Sequence, residues 1–296
     1  MANMRAIRNR IKSVEGTRQI TKSMKLVSGA KLRRVQSARG AQAVYAEKCG
    51  AMLKDMLAQA VEIDNPFLKE GSGRTVYVLF VGNRGLCGAY NQNVLHYLES
   101  DLKLDPDLED YDPANDPMIV VVGSWGRDLI AAVGMEVLRT FDTFKDVPTS
   151  EEAAELTAYL KDLYLSGKAG QIALVYQHYL SALRQVPTHV DFLPVRSEKV
   201  SAVHSDVICE PDSASLIERL VDMYIQSTVY STMLEARLGE HTARMMAMTA
   251  ATDNTDELIA KLTQDLNHAR QSAITTEISE IVGGAAALRS LEDQDG

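Results

Sequence analysis

Two long stretches without proline, one near each end of the chain, constrain the fold more than any other feature of the sequence. From Met4 to about Leu57, the residues Ile7, Ile11, Val14, Thr17, Thr21, Met24, Ser28, Leu32 and Val35 recur at steps of three and four. That spacing is one narrow face of a helix, apolar or small throughout. After Pro211 a second such region runs to about Leu291, its face marked by Leu216, Leu220, Met223, Leu234, Leu238, His241, Met245, Met248, Leu262, Leu266 and Ala269. Asp64-Asn65-Pro66 closes the first arm, and Gly16, Gly29 and Gly40 are the points where that rod is expected to be weakest. One helix leads into the middle of the chain and the other leads out, so if the two pair they run antiparallel. At 1.5 Å per residue the first spans roughly 85 Å and the second about 115 Å. The C-terminal helix is therefore expected to project past its partner as a single tip.

Charge separates the arms. Residues 1–40 hold eleven Lys and Arg against the single acid Glu15, a charge of +10, which leaves −19 on the other 256 residues of a chain whose net charge is −9. The second helical region carries eleven acids and six bases, so the two arms are complementary in sign.

The middle of the chain follows another pattern. TVYVLFVG, MIVVVG, QIALVYQHY and THVDFLPV are rich in β-branched and aromatic residues, while SWGRDLIAAVG and TSEEAAELTAYLKDLYLSG read as helices, the latter starting near Ser150 and Glu152. Strands alternating with helices predict an α/β layer domain over residues 75–195. The acidic stretch 99–117, with three prolines, reads as an exposed loop; its Asp105, Asp107 and Glu109 lack the glycine that a calcium loop needs.

Several chemistries are disfavoured by spacing. The glycines of VGNRGLCGAYN form GxxGxxG, and neither the dinucleotide pattern GxGxxG nor the phosphate-loop pattern GxxxxGK[ST] occurs in the chain. Six histidines and three cysteines show no metal-ligand spacing, and Cys87 reads as a packed thiol. A DNA-tracking role for the basic arm competes poorly, because its apolar stripe continues where readout residues would be needed. The longest apolar runs are far short of the roughly 20 residues that span a bilayer. The opening MANMRAIRNR has no apolar signal-peptide core, and a reduced, cytosolic setting fits.

The segments IRNRIKSVEGTRQITKSMKLVSGAKLRR, NRGLCGAYN, EHTARMMAMTAATDN and NHARQSAITTEISEIVGGAAAL occur in this order along the chain. Together they resemble the gamma subunits of F-type ATP synthases, of bacterial type. The terminal pattern ITxExxExxxGA is met by Ile274, Thr275, Glu277, Glu280, Gly284 and Ala285. The resemblance implies an α/β fold in which a long antiparallel coiled coil, from an N-terminal helix (1–60) and a C-terminal helix (209–291), carries a central Rossmann-like α/β domain (74–195). It implies a rotor shaft that performs no bond chemistry and holds no cofactor or metal. The shaft turns inside a ring of three alpha and three beta subunits, engages the epsilon subunit and the membrane c-ring, and works at the cytoplasmic face of the bacterial membrane.

Carried over residue by residue, the resemblance makes Arg270, Gln271, Thr275 and Glu277 contacts to a loop of the beta subunit and Met24 a neighbour of its acidic lever segment. Gly284 becomes part of a small-residue bearing surface, and Glu210, in the stretch Glu210-Pro211-Asp212, a contact close to the c-ring. Gly29 and Gly239 stand where relatives usually have alanine or serine, and are expected to soften the coiled coil locally.

Overall fold

The computed structural model describes residues 2–59, 64–101, 117–126, 130, 135–196 and 213–292, with side chains for 4–58, 64–99, 117–126, 130, 135–196 and 214–285. The acidic stretch 102–116, most of the helix expected at 124–134, and Glu210 with its neighbours lie outside the described residues. Helix α1 (Ala2–Gln59) and helix α4 (Ser213–Glu292) are the two long arms. Between them come β1 (Arg74–Phe80), α2 (Tyr90–His96), β2 (Met118–Val122), β3 (Glu136–Phe141), α3 (Ser150–Leu165), β4 (Ala169–Tyr179) and β5 (Gln185–Leu193).

The strands form one sheet in the order β3-β2-β1-β4-β5, parallel except for the antiparallel β4–β5 pair. This is a doubly wound arrangement, and its helices cover both faces. Val76, Val78 and Phe80 of β1 point to one face, with Leu156 and Leu160 of α3, Leu53 and Met56 of α1, and Ile217 to Ala236 of α4. Leu79 and Val81 point to the other, with Val94 and Leu95 of α2. All five residues of β2 are buried, as expected of an inner parallel strand.

Strand β3, EVLRTF, was not foreseen from sequence. It is an edge strand with only Phe141 buried, so two charged residues break the alternation that would have marked it. Helix α3 begins at Ser150, as its sequence suggests. Thr149 is its cap: the hydroxyl accepts from Glu152 N and the Glu152 carboxylate accepts from Thr149 N, which satisfies two otherwise orphaned donors.

The chain divides into two compact units, one of residues 27–247 and one of residues 1–26 with those from 248 onward. In the larger unit the arms run antiparallel: Arg39 approaches Glu235, Gln42 donates to the Ser227 hydroxyl at 3.0 Å, and Gly50 faces Tyr224. In the smaller unit Thr252 donates to the Thr21 hydroxyl at 2.9 Å and Arg18 pairs with Asp256 at 3.0 Å, again with opposite directions. The stripe read from α1 is the inward face, with Thr21, Ser28 and Val35 buried; Thr17 is exposed.

Candidate functional site: the tip of α4 and a buried ion cluster

In the smaller unit Thr21 pairs with Thr252 and Arg18 with Asp256. Carried on along two helices of equal rise, that register brings Ala2, the first residue of α1, level with about Ser272. Leu262 is buried and Leu266, Ala269 and Ala273 are half-buried, after which every described side chain from Ile274 to Ala285 is exposed. Ile274, Ile278, Ile281 and Val282 are 49–67% exposed, an apolar patch with nothing of this chain against it among the described residues. No Cβ built on Gly283 or Gly284 meets a neighbour within 4 Å.

With 100° per residue, Arg270, Ile274, Glu277, Ile281 and Gly284 share one stripe of the tip. Gln271, Thr275, Ile278 and Val282 lie beside it. Ser272, Thr276, Ser279 and Gly283 make up the opposite, small and polar side. The structure thus brings together Arg270, Gln271, Thr275, Glu277 and Gly284 on one exposed half of a single helix. Met24 is half-buried on α1 near the level of Thr249, roughly 30 Å along the axis from Arg270. It belongs to a separate location.

Sequence reasoning missed a second feature. Between Thr232 and Arg244 helix α4 is buried on nearly all sides, and its buried residues include Arg237, Glu240, His241, Thr242 and Arg244. The Glu240 carboxylate accepts from Arg237 Nη1 at 2.6 Å and from Arg244 Nη2 at 2.6 Å. Arg244 also donates from Nη2 to the Arg84 carbonyl at 2.9 Å and from Nε to the Gly85 carbonyl at 3.3 Å. Burial alone would raise the Glu240 carboxyl, but Arg237, Arg244 and His241 outweigh it and hold it below the ordinary value.

His241 completes the cluster. Its Nε2 donates to the Asp146 carbonyl at 3.1 Å, which leaves Nδ1 as an acceptor 3.5 Å from Arg244 Nη1. Burial pushes its pKa down, and Glu240 only partly opposes that, so the neutral ring is the one this geometry requires. Lys31 of α1 pairs with Asp146 at 2.6 Å and, against burial, holds that carboxyl low. The available signal was the R-x-x-E-x-x-x-R spacing of Arg237, Glu240 and Arg244 inside an otherwise apolar stretch.

This cluster occupies a telling place. In doubly wound sheets ligands bind beyond the carboxyl ends of the strands where the strand order reverses, here between β1 and β4. The glycine segment 82–89 follows β1, and α4 lies directly over it. A Cβ built on Gly82 would sit 3.0 Å from Glu240 Oε1, Tyr90 donates to the Ala236 carbonyl at 2.8 Å, and Gln177 of β4 donates to the Tyr90 carbonyl at 2.6 Å. A nucleotide in the usual position would have to displace α4. Cys87 is buried there, and burial pushes its thiol up.

Gly239 differs from the softening expected of it. A Cβ there would lie 3.0 Å from Gln185 Oε1 and 3.1 Å from the Tyr90 ring, so the glycine lets the α/β domain approach α4 closely. At Gly29 the nearest atom to a Cβ is Met245 Sδ at 3.6 Å, an ordinary contact.

The model of the ATP synthase family matches residues 3–288. The ATP synthase gamma chain of Desulforamulus reducens is 40% identical over 97% of this chain and all of its own, and that of Desulfitobacterium hafniense is 37% identical over 97% and 100%. The chain belongs to the ATP synthase gamma-chain family. It is a non-catalytic subunit of the central stalk. The fold is likewise similar to a chain in the Euglena gracilis mitochondrial ATP synthase (OSCP/F1/c-ring, rotational state 3), with 20% identity, a TM-score of 0.68, and coverage of 98% of this chain and 95% of that one. A chain in the rotor of the same enzyme gives a TM-score of 0.64 over 92% of this chain and 99% of that one.

Proposed function

We propose that this chain is the rotor shaft of an F-type ATP synthase, turning inside a ring of three alpha and three beta subunits and joined at its foot to an epsilon subunit and a membrane c-ring. The observation that carries this reading is the tip of α4, where Ile274, Ile278, Ile281 and Val282 stand exposed past the end of α1. An apolar helix face of this kind is stable in water only at a cost, which a surrounding sleeve removes. In this reading the functional parts are the arms 1–60 and 209–291 and the domain 74–195, and the working surface is the cytoplasmic side of the membrane. Among the described residues no helix is long and apolar enough to cross that membrane.

The mechanism is conformational coupling. A shaft that presents different sides to three catalytic subunits stabilises a different open or closed state in each, and each step of rotation exchanges those states and their nucleotide affinities. Arg270 supplies a planar donor fork for carboxylates or carbonyls of a beta subunit, with Gln271, Thr275 and Glu277 beside it. Met24 faces another part of the ring, and Gly284 keeps the tip narrow. Glu210 acts near the c-ring.

Native mass spectrometry of the complex retained by a tagged copy of the chain tests the proposal. The expected result is one copy with three alpha and three beta subunits and an ATPase activity absent from the chain alone. In that complex Arg270→Ala should lower turnover about tenfold, the equivalent of one charge-assisted bond. A chain recovered without those subunits would contradict the reading.

A further inference from the structure

We propose that Arg237, Glu240 and Arg244 form the joint through which load passes between helix α4 and the α/β domain. They would be positioning residues for coupling, not contacts to the catalytic ring. The inference rests on the rotor reading above and deepens it.

Stability alone does not account for the cluster. A buried ion triad is often no more stable than apolar side chains of the same volume, because desolvating three charges offsets their attraction. Here, moreover, Arg237 Nη2 meets no acceptor among the described residues. What such a triad supplies is direction. Apolar surfaces packed against each other resist separation but only weakly resist sliding, since the hydrophobic effect is not directional. Hydrogen bonds to charged groups fall off steeply with angle and distance, so they define a register.

The bonds are placed where sliding would occur. Arg244 holds two successive carbonyls, those of Arg84 and Gly85, in the loop leaving β1. Glu240 holds Arg237 one turn before it and Arg244 one turn after it on the same face of the helix, and lies against Gly82. His241 ties the same turn of α4 to the Asp146 carbonyl, and Asp146 is held in turn by Lys31 of α1. One turn of α4 thereby grips two loops at the carboxyl end of the sheet, and through Asp146 the second arm as well. A helix that must drag this domain round, or be dragged by it, needs a fastening of this kind.

The test uses the complete ATP synthase, reconstituted in lipid vesicles with the variant chain, measuring ATP hydrolysis and ions pumped per ATP. The triple variant Arg237→Met, Glu240→Leu and Arg244→Leu replaces the triad with apolar groups. It is expected to assemble and hydrolyse ATP within about twofold of the unsubstituted complex, while ions pumped per ATP fall at least about threefold. Arg244→Met, which releases the two loop carbonyls and leaves the Arg237–Glu240 pair in place, should lower the ratio about twofold. Arg237→Lys, which still reaches Glu240 with one donor and leaves the Arg244 contacts in place, should keep the ratio near that of the unsubstituted complex. An unchanged pumping ratio in both the triple variant and Arg244→Met would overturn the joint. Failure of the unsubstituted chain to assemble with catalytic subunits would instead overturn the rotor reading.

Discussion

One helix, α4, is used in two opposite ways. Around Leu234 to Arg244 it is enclosed on nearly every side, and Arg237, Glu240, His241 and Arg244 are paired with one another or with backbone carbonyls. From Ile274 to Ala285 it is enclosed on none, and its isoleucines face solvent. The difference teaches that one continuous helix can be fastened to its own domain at one level and left without a cover from this chain at another. The enclosed segment fastens α4 to the α/β domain, whereas the bare segment has its side chains in solvent.

That contrast can be broken by substitution. The largest expected effect is at Glu240. Replacing it with alanine leaves two buried arginines without their shared partner and should destabilise the chain by about 3–5 kcal/mol, read as a fall in the urea midpoint of the isolated protein. A midpoint unchanged by Glu240→Ala would mean that water reaches the cluster.

Acid should loosen the enclosed segment in two steps. The folded pKa of His241 lies below its ordinary value of 6.5, so the unfolded chain binds the proton more readily and stability falls as pH drops from about 6.5 towards the folded value. Protonation would also place a second N–H against Arg244. Glu240 and Asp146, both depressed, contribute stability that is present above their ordinary values of 4.5 and 3.8 and is lost as pH falls through the lower folded ones. His241→Gln should remove the first step, no steeper than about 1.4 kcal/mol per pH unit, and leave the second. Denaturation midpoints across pH 3 to 8 check both, with roughly half-unit spacing sufficient to separate them.

Smaller effects sharpen the comparison. Gly29→Ala has room beside Met245 and should stabilise α1 by about 0.5–1 kcal/mol, seen as a raised melting temperature. Gly239→Ala, pressed against Tyr90 and Gln185, should not show that gain. Smallest of all, Ile278→Ala at the exposed tip should shift the stability of the free chain by less than about 0.5 kcal/mol.

The sequence made the arms and most of the sheet legible because their signals are local. The three-and-four spacing through Thr21, Ser28 and Val35 marks the buried stripe of α1, and MIVVV marks a strand buried on both faces. Where two neighbours compete for one helix, the signal weakens. Met223, read as part of the inward face of α4, is 40% exposed, while residues such as Arg237 and Glu240 on other faces are buried because the sheet covers them. Periodicity reports one interface at a time, and this segment has two. Strand β3 escaped because its edge position permits Glu136 and Arg139. The grip of Arg244 on Arg84 and Gly85 joins positions some 160 residues apart, and no spacing rule reaches that far. The tip was legible as a small-residue helix, but its partners came from resemblance, since an exposed face names no occupant by itself.

The most direct measurement is amide hydrogen exchange along α4, in the free chain and in the complex with alpha and beta subunits. The account predicts that amides of 274–285 exchange quickly in the free chain and at least about tenfold more slowly in the complex, while those of 232–244 are slow in both. Equal exchange of the tip in the two states, or a 232–244 segment that becomes protected only on assembly, would contradict it.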